Sequence, residues 1–172
     1  EGEDLRNLIF IEGFIEDSNF RNADLRGTDL ERSDLMNVDL RGANLEGAVF
    51  PGNGYSVNCE GVDLREVSIP ESVEVHYESS NFRGANLSGL DFSSSAESGA
   101  RNRLLWCNFS DANLRFSNLE SASFICCDLT GANLEGANLQ NVDLRGSIGV
   151  NLEGTVGAPL FMPDDPWPVG GD

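Results

Sequence analysis

A chain of 172 residues and 18.6 kDa fits one domain and leaves no room for a second catalytic one. Its 29 acidic residues face 11 cations, all of them arginine, and the resulting net charge of −18 repels phosphate backbones and anionic lipid, which excludes a conventional nucleic-acid binder. With 40% apolar residues the chain is too hydrophobic for a disordered acidic tail, and no apolar run is long enough to span a bilayer, so a soluble folded chain is expected.

From Leu5 the apolar residues fall at every fifth position: Leu5, Phe10, Ile15, Phe20, Leu25, Leu30, Leu35, Leu40, Leu45 and Phe50. The register resumes at Cys59, Leu64 and Ile69, again at Phe82, Leu87 and Phe92, and runs from Phe109 to Leu144, making 24 repeats. Of these centres, 21 are Leu or Phe, which is too regular for chance. Two residues before most of them sits a small or β-branched residue such as Ala23, Val38 or Ala132, and in 19 of the 24 repeats Asp or Asn stands just before the centre. Two polar or turn-forming residues follow.

A helix turns about 100° per residue, so a period of five draws no continuous apolar stripe. A long flat strand would send successive centres to opposite faces. What is left is a short extended piece with two inward side chains, then a corner built on residues such as Gly and Asn that tolerate unusual backbone angles.

Stretches such as Ala43-Asn44-Leu45-Glu46-Gly47 and Ala132-Asn133-Leu134-Glu135-Gly136 match the motif A(D/N)LXX, and the chain resembles the pentapeptide repeat family over residues 16–147 apart from three interruptions. The resemblance implies an all-β fold, a right-handed quadrilateral parallel β-helix in which four pentapeptides make one square coil. About six to seven coils are expected over residues 1–153, a rod on the order of 30 Å long at the strand spacing of roughly 4.8 Å.

In chain order, residues 1–15 read as an N-terminal cap, because outward sites become apolar at Ile9, Ile11 and Phe14. Three segments break the register, 51–56, 70–79 and 93–106, and are expected as loops. The last is rich in Ser, and its Arg101, Arg103 and Trp106 are candidate contacts for a partner. Residues 154–172 lose the repeat and carry Pro159, Pro163, Pro166, Pro168 and Trp167, reading as a cap folded back on the rod or as a docking tail.

Cys59, Cys107, Cys126 and Cys127 lack metal-ligand spacing. Cys107 and Cys127 lie twenty apart and so share an interior column in adjacent coils, where either two buried thiols or a disulfide is compatible with the spacing. Cys126 takes an outward site. His76, among Glu71, Glu74 and Glu78, reads as a solvated loop residue. Asn86-Leu87-Ser88 and Asn108-Phe109-Ser110 match the glycosylation pattern, but the repeat places Asn there anyway. No catalytic, cofactor-binding or metal-ligating constellation emerges, and a filled rod with flat faces lacks the concave pocket that catalysis needs.

These features point to a non-enzymatic interaction protein that engages a protein partner through outward faces, loops or tail, without direct nucleic-acid binding or membrane insertion. The resemblance implies a second reading, a DNA mimic of the gyrase-interacting, quinolone-resistance type, in which regularly spaced carboxylates stand in for phosphates. It leaves cytoplasmic, periplasmic and thylakoid-lumenal addresses open.

Overall fold

The computed structural model describes residues 4–10, 13–70, 74–94 and 101–166. Among these the chain winds as a parallel β-solenoid without a helix. One wall is a six-stranded sheet in the order β1 (Gly13–Glu16), β2 (Ser33–Met36), β3 (Asn53–Tyr55), β4 (His76–Glu78), β5 (Arg103–Leu105) and β6 (Ser123–Ile125). The first and last of these strands are five turns apart. Single paired residues form the other walls and carry the winding past both ends of the sheet, from Asp4↔Asp24 to Asp143↔Phe161.

Most repeats outside the six-stranded wall close on themselves through two local hydrogen bonds. The N–H three residues after a centre donates to the centre's carbonyl, as Ala23 does to Phe20 at 3.0 Å and Ala43 to Leu40 at 2.9 Å. The residue just before it has a positive φ at most corners, for example Asn22 at 56° and Gly42 at 70°, which is the geometry of a type II turn. The Asp or Asn ahead of the centre supplies the second bond: its Oδ1 accepts the N–H of the residue after the centre, as Asn19 does from Arg21 and Asn133 from Glu135. The same bonds occupy Asn86 and Asn108, so their place before Ser is explained by the turn.

The two inward positions fill the tube. Leu25, Leu45, Leu64, Leu87, Leu114 and Leu134 are all buried, with Ala23, Ala43, Val62, Ala85, Ala112 and Ala132 beside them. Phe50, Tyr77, Phe82, Phe109 and Phe124 form a chain of ring contacts through the middle coils, at centroid distances of 5.0–5.9 Å.

The three interruptions are a correction to the sequence reading. Each expected loop contains a strand of the sheet, β3, β4 or β5, and its inward residue is Gly54, Tyr77 or Leu104. Asp34 pairs with Asn53, one short of the twenty-residue step, while Asn53 pairs with His76 and His76 with Arg103, three and seven beyond it. A one-residue deletion and two insertions therefore shift the register, and residues 71–73 and 95–100 of the expected loops lie outside the described residues. Gly54 hid β3 because its inward site holds no side chain; a Cβ there would lie 2.2 Å from the Tyr77 ring. Tyr77 occupies that space and its hydroxyl donates to the Pro51 carbonyl at 2.9 Å.

At the N-terminus Leu5 and Ile15 pack against the core, while Ile9 and Phe14 are exposed; Ile11 and residues 1–3 of the expected cap lie outside the described residues. At the other end, residues 154–163 carry on the winding: Val156 pairs with Asn138 and Phe161 with Asp143. Trp167 and Pro168 lie outside the described residues.

Candidate interaction surface

With the interior filled, what the molecule offers is its outside. The main charged feature there is a local pairing that sequence reasoning missed. The tripeptide Asp-Leu-Arg occurs five times, and each time the arginine folds back onto the aspartate: Arg6 on Asp4, Arg26 on Asp24, Arg41 on Asp39, Arg65 on Asp63 and Arg145 on Asp143. The guanidinium uses both Nε and Nη2, so the contact is a two-point fork, as between Arg26 and Asp24 at 2.8 and 2.7 Å. Hydrogen bonding to arginine lowers the carboxyl pKa of Asp24, Asp39 and Asp63, and brings Asp4 down to about 2. The signal was legible in principle, since Asp at one position and Arg two later flank an inward Leu and so emerge on the same side.

The Arg6–Asp4 and Arg65–Asp63 pairs are exposed, and Arg26–Asp24 and Arg41–Asp39 are half-buried. The fifth is buried: Asp143 and Arg145 are 3% and 8% exposed, and the Arg145 guanidinium also lies 4.2 Å from the centre of the Phe161 ring. The C-terminal winding therefore seals this pair.

The corners carry a second feature. Gly, Asn, Asp or Ser takes most left-handed corner positions, but Trp106, Phe116 and Cys126 also adopt it, with φ of 52°, 58° and 55°. Large side chains pay for that backbone, and Trp106 and Phe116 are nonetheless exposed by 56% and 63%.

The candidate contacts Arg101, Arg103 and Trp106 gather at the exit of the longest insertion. Arg103 opens β5, and Trp106 is the corner that ends it. Arg101 and Arg103 line a groove of about 500 Å³ with Glu74, Ser123, Asp143 and Arg145. Neither forms an ion pair among the described residues, in contrast to the Asp-Leu-Arg arginines.

His76, expected as a solvated loop residue, instead begins β4, is half-buried, and lies 3.9 Å from the Glu78 carboxylate. Its orientation follows from the strand: His76 and Glu78 flank inward Tyr77 and so both face out. Cys107 and Cys127 carry free thiols, buried in the small inward position of adjacent coils, and Cys127 Sγ lies 3.2 Å from the Leu104 carbonyl. Burial pushes the Cys59 and Cys127 thiols well above their ordinary range, which keeps them from the reactive thiolate form. Among the described residues no cluster of His, Cys, Asp and Glu could hold a metal ion, and no helix is long and apolar enough to cross a membrane.

The pentapeptide repeats family model matches eight copies over residues 16–52 and 107–146. A search of curated protein sequences found no match. Among solved structures the chain is similar to QnrB1, a plasmid-mediated fluoroquinolone resistance protein, at 18% identity and a TM-score of 0.52, over 91% of this chain and 80% of that one. It is also similar to HetL, a pentapeptide repeat protein involved in heterocyst differentiation regulation from the cyanobacterium Nostoc sp. strain PCC 7120, at 22% identity and a TM-score of 0.40, over 93% of this chain and 91% of that one. The cyanobacterial pentapeptide repeat protein Rfr23 from Cyanothece 51142 aligns at 20% identity and a TM-score of 0.28, over 90% and 91%. With the repeat matched by the family model over those two segments and the twenty-residue coil found in three dimensions, the chain has the pentapeptide repeat fold.

Proposed function

We propose that the chain is a non-enzymatic interaction protein that holds a protein partner at the corner where the longest insertion rejoins the coil, with Trp106 as the anchor. The observation that carries this reading is the cost of Trp106 to the fold. A bulky L-residue at a φ of 52° is strained by about 1–2 kcal/mol relative to glycine, and burial does not repay it because the side chain is exposed. Tryptophan is also among the residues most enriched in interface hot spots. The filled interior favours binding over chemistry, since the inward positions of the middle coils are occupied by packed side chains.

The DNA-mimic reading draws on the acidity and on the fold shared with QnrB1, but it needs carboxylates free to replace phosphates. Here four of the outward ladder aspartates, Asp4, Asp24, Asp39 and Asp63, are already neutralised by their own arginines. Many other slots in the later coils hold neutral Asn, as at Asn108, Asn113, Asn118, Asn133 and Asn138. The interaction reading is therefore preferred.

Trp106→Gly tests it, because it separates folding from binding. Glycine relieves the backbone strain, so the variant should melt higher than the parent chain while losing the partner captured by the parent from its native source. Retention of that partner by the more stable variant would remove Trp106 as the anchor.

A further inference from the structure

We propose that the groove lined by Arg101, Arg103 and Arg145 binds a small molecule carrying at least two oxyanion groups, carboxylate or phosphate. Three of the eleven arginines converge there, and they differ in what already holds them. Arg145 is committed: its Nε donates to Asp143 Oδ1 at 2.9 Å and its guanidinium stacks on Phe161. It forms a fixed, desolvated wall with its charge balanced in place. Among the described residues Arg101 and Arg103 have no carboxylate partner, although the chain carries 29 acidic residues and at least seven of its other arginines form ion pairs, counting Arg83 and Arg115 with the five Asp-Leu-Arg residues.

The placement of these side chains follows from the coil. Arg103, Ser123 and Asp143 are register partners on three successive coils, so they form one outward column with steps of roughly 4.8 Å. Ser123 is 5% exposed, lines the groove, and its hydroxyl makes no hydrogen bond among the described residues. An oxyanion placed over the column would receive a forked guanidinium from Arg103 and a hydroxyl from Ser123, with a second charged group reaching Arg101. The volume of about 500 Å³ lies within the range of small-molecule sites. The opposing carboxylates are Asp143, already neutralised by Arg145, and Glu74, which leaves the lining with a net positive charge in a strongly negative protein. At ordinary ionic strength the remote carboxylates are screened beyond about 10 Å, whereas contacts within the groove are not.

Binding is tested by isothermal titration of the full chain in a buffer free of oxyanions, with pyrophosphate and citrate as separate probes at up to millimolar concentration. Saturable one-to-one binding of either probe is expected, lowered about tenfold or more by Arg103→Ala and by Arg101→Ala, and less by Arg103→Lys, which keeps the charge and loses the fork. Arg65→Ala, which removes an exposed and paired arginine outside this groove, should leave it unchanged. Binding of pyrophosphate alone assigns the site to phosphate, and of citrate alone to carboxylate. Absence of saturable binding for both probes, or equal losses in Arg65→Ala and Arg103→Ala, overturns the proposal. Circular dichroism of each variant separates loss of the site from loss of the fold.

Discussion

Gly54 and Tyr77 show how two residues can hide a coil from its own sequence. The repeat calls for Leu or Phe at the inward centre, and at Gly54 the side chain is supplied by the next coil, where the Tyr77 ring fills the space a Cβ would enter. Gly54→Ala should therefore cost about 1–3 kcal/mol through overpacking, although alanine is acceptable at many inward sites elsewhere. In a Tyr77→Leu background the same change should cost much less, because the ring that clashes is gone; equal costs in both backgrounds, read from denaturant unfolding, would show that the two do not share that space. The register was legible wherever a coil brings its own Leu or Phe to the centre. It was not legible at Gly54, Tyr77 and Leu104, since a deleted or inserted residue moves the centre off the five-step count while the coil continues. A glycine inside an extended segment marks a close approach, and that was the available signal.

The Asp-Leu-Arg ladder joins turn geometry to electrostatics. The slot before the centre was readable as Asp or Asn, but its reason is visible only once the corner is built: Oδ1 accepts an N–H that would otherwise lack a partner, and either residue can do this. Aspartate adds a fork to arginine. Asp→Asn thus removes the ion pair and keeps the turn bond, which makes the size of the loss a measure of burial. Asp63→Asn, at a solvated pair, should cost under about 1 kcal/mol, and Asp143→Asn, which deprives a buried guanidinium of its carboxylate, about 3 kcal/mol. Asp4, Asp24, Asp39 and Asp63 have folded pKa values below their unfolded ones. Their contribution is thus present above the ordinary aspartate pKa of about 4 and fades as pH falls below it, for Asp4 down to about 2. Thermal melts of the parent chain should drop through that window by more than those of a variant with all four changed to Asn; parallel curves would mean that the forks contribute nothing to stability. The candidate site was only half legible for a related reason. Arg101, Arg103 and Trp106 stood out as members of an insertion, whereas Ser123 and Arg145 join them only because β5, β6 and the following coil stack at successive levels.

For the molecule as a whole, a solenoid is stable only as far as each coil is covered by the next, and the last coil decides the fate of the open edge. Residues 154–163 supply that cover. The carbonyls of Gly154, Val156, Ala158, Phe161 and Pro163 accept the N–H groups of Gly136, Leu139, Asn141, Leu144 and Gly146 at 2.7–3.0 Å. Phe161 also closes over the buried Asp143–Arg145 pair. Ending the chain after Gly149 would strip all five donors of their partners and leave a strand-like edge above an apolar column headed by Leu134, Leu139 and Leu144. Such an edge is a template for pairing with another copy, so the shortened chain should form dimers and larger species in size-exclusion chromatography with light scattering. Its earlier coils contact only their neighbours and should keep their β-signature in circular dichroism at low temperature. A shortened chain that stays monomeric and melts with the parent would mean that residues 150–172 do not act as a cover, and would return the segment to the role of a docking tail.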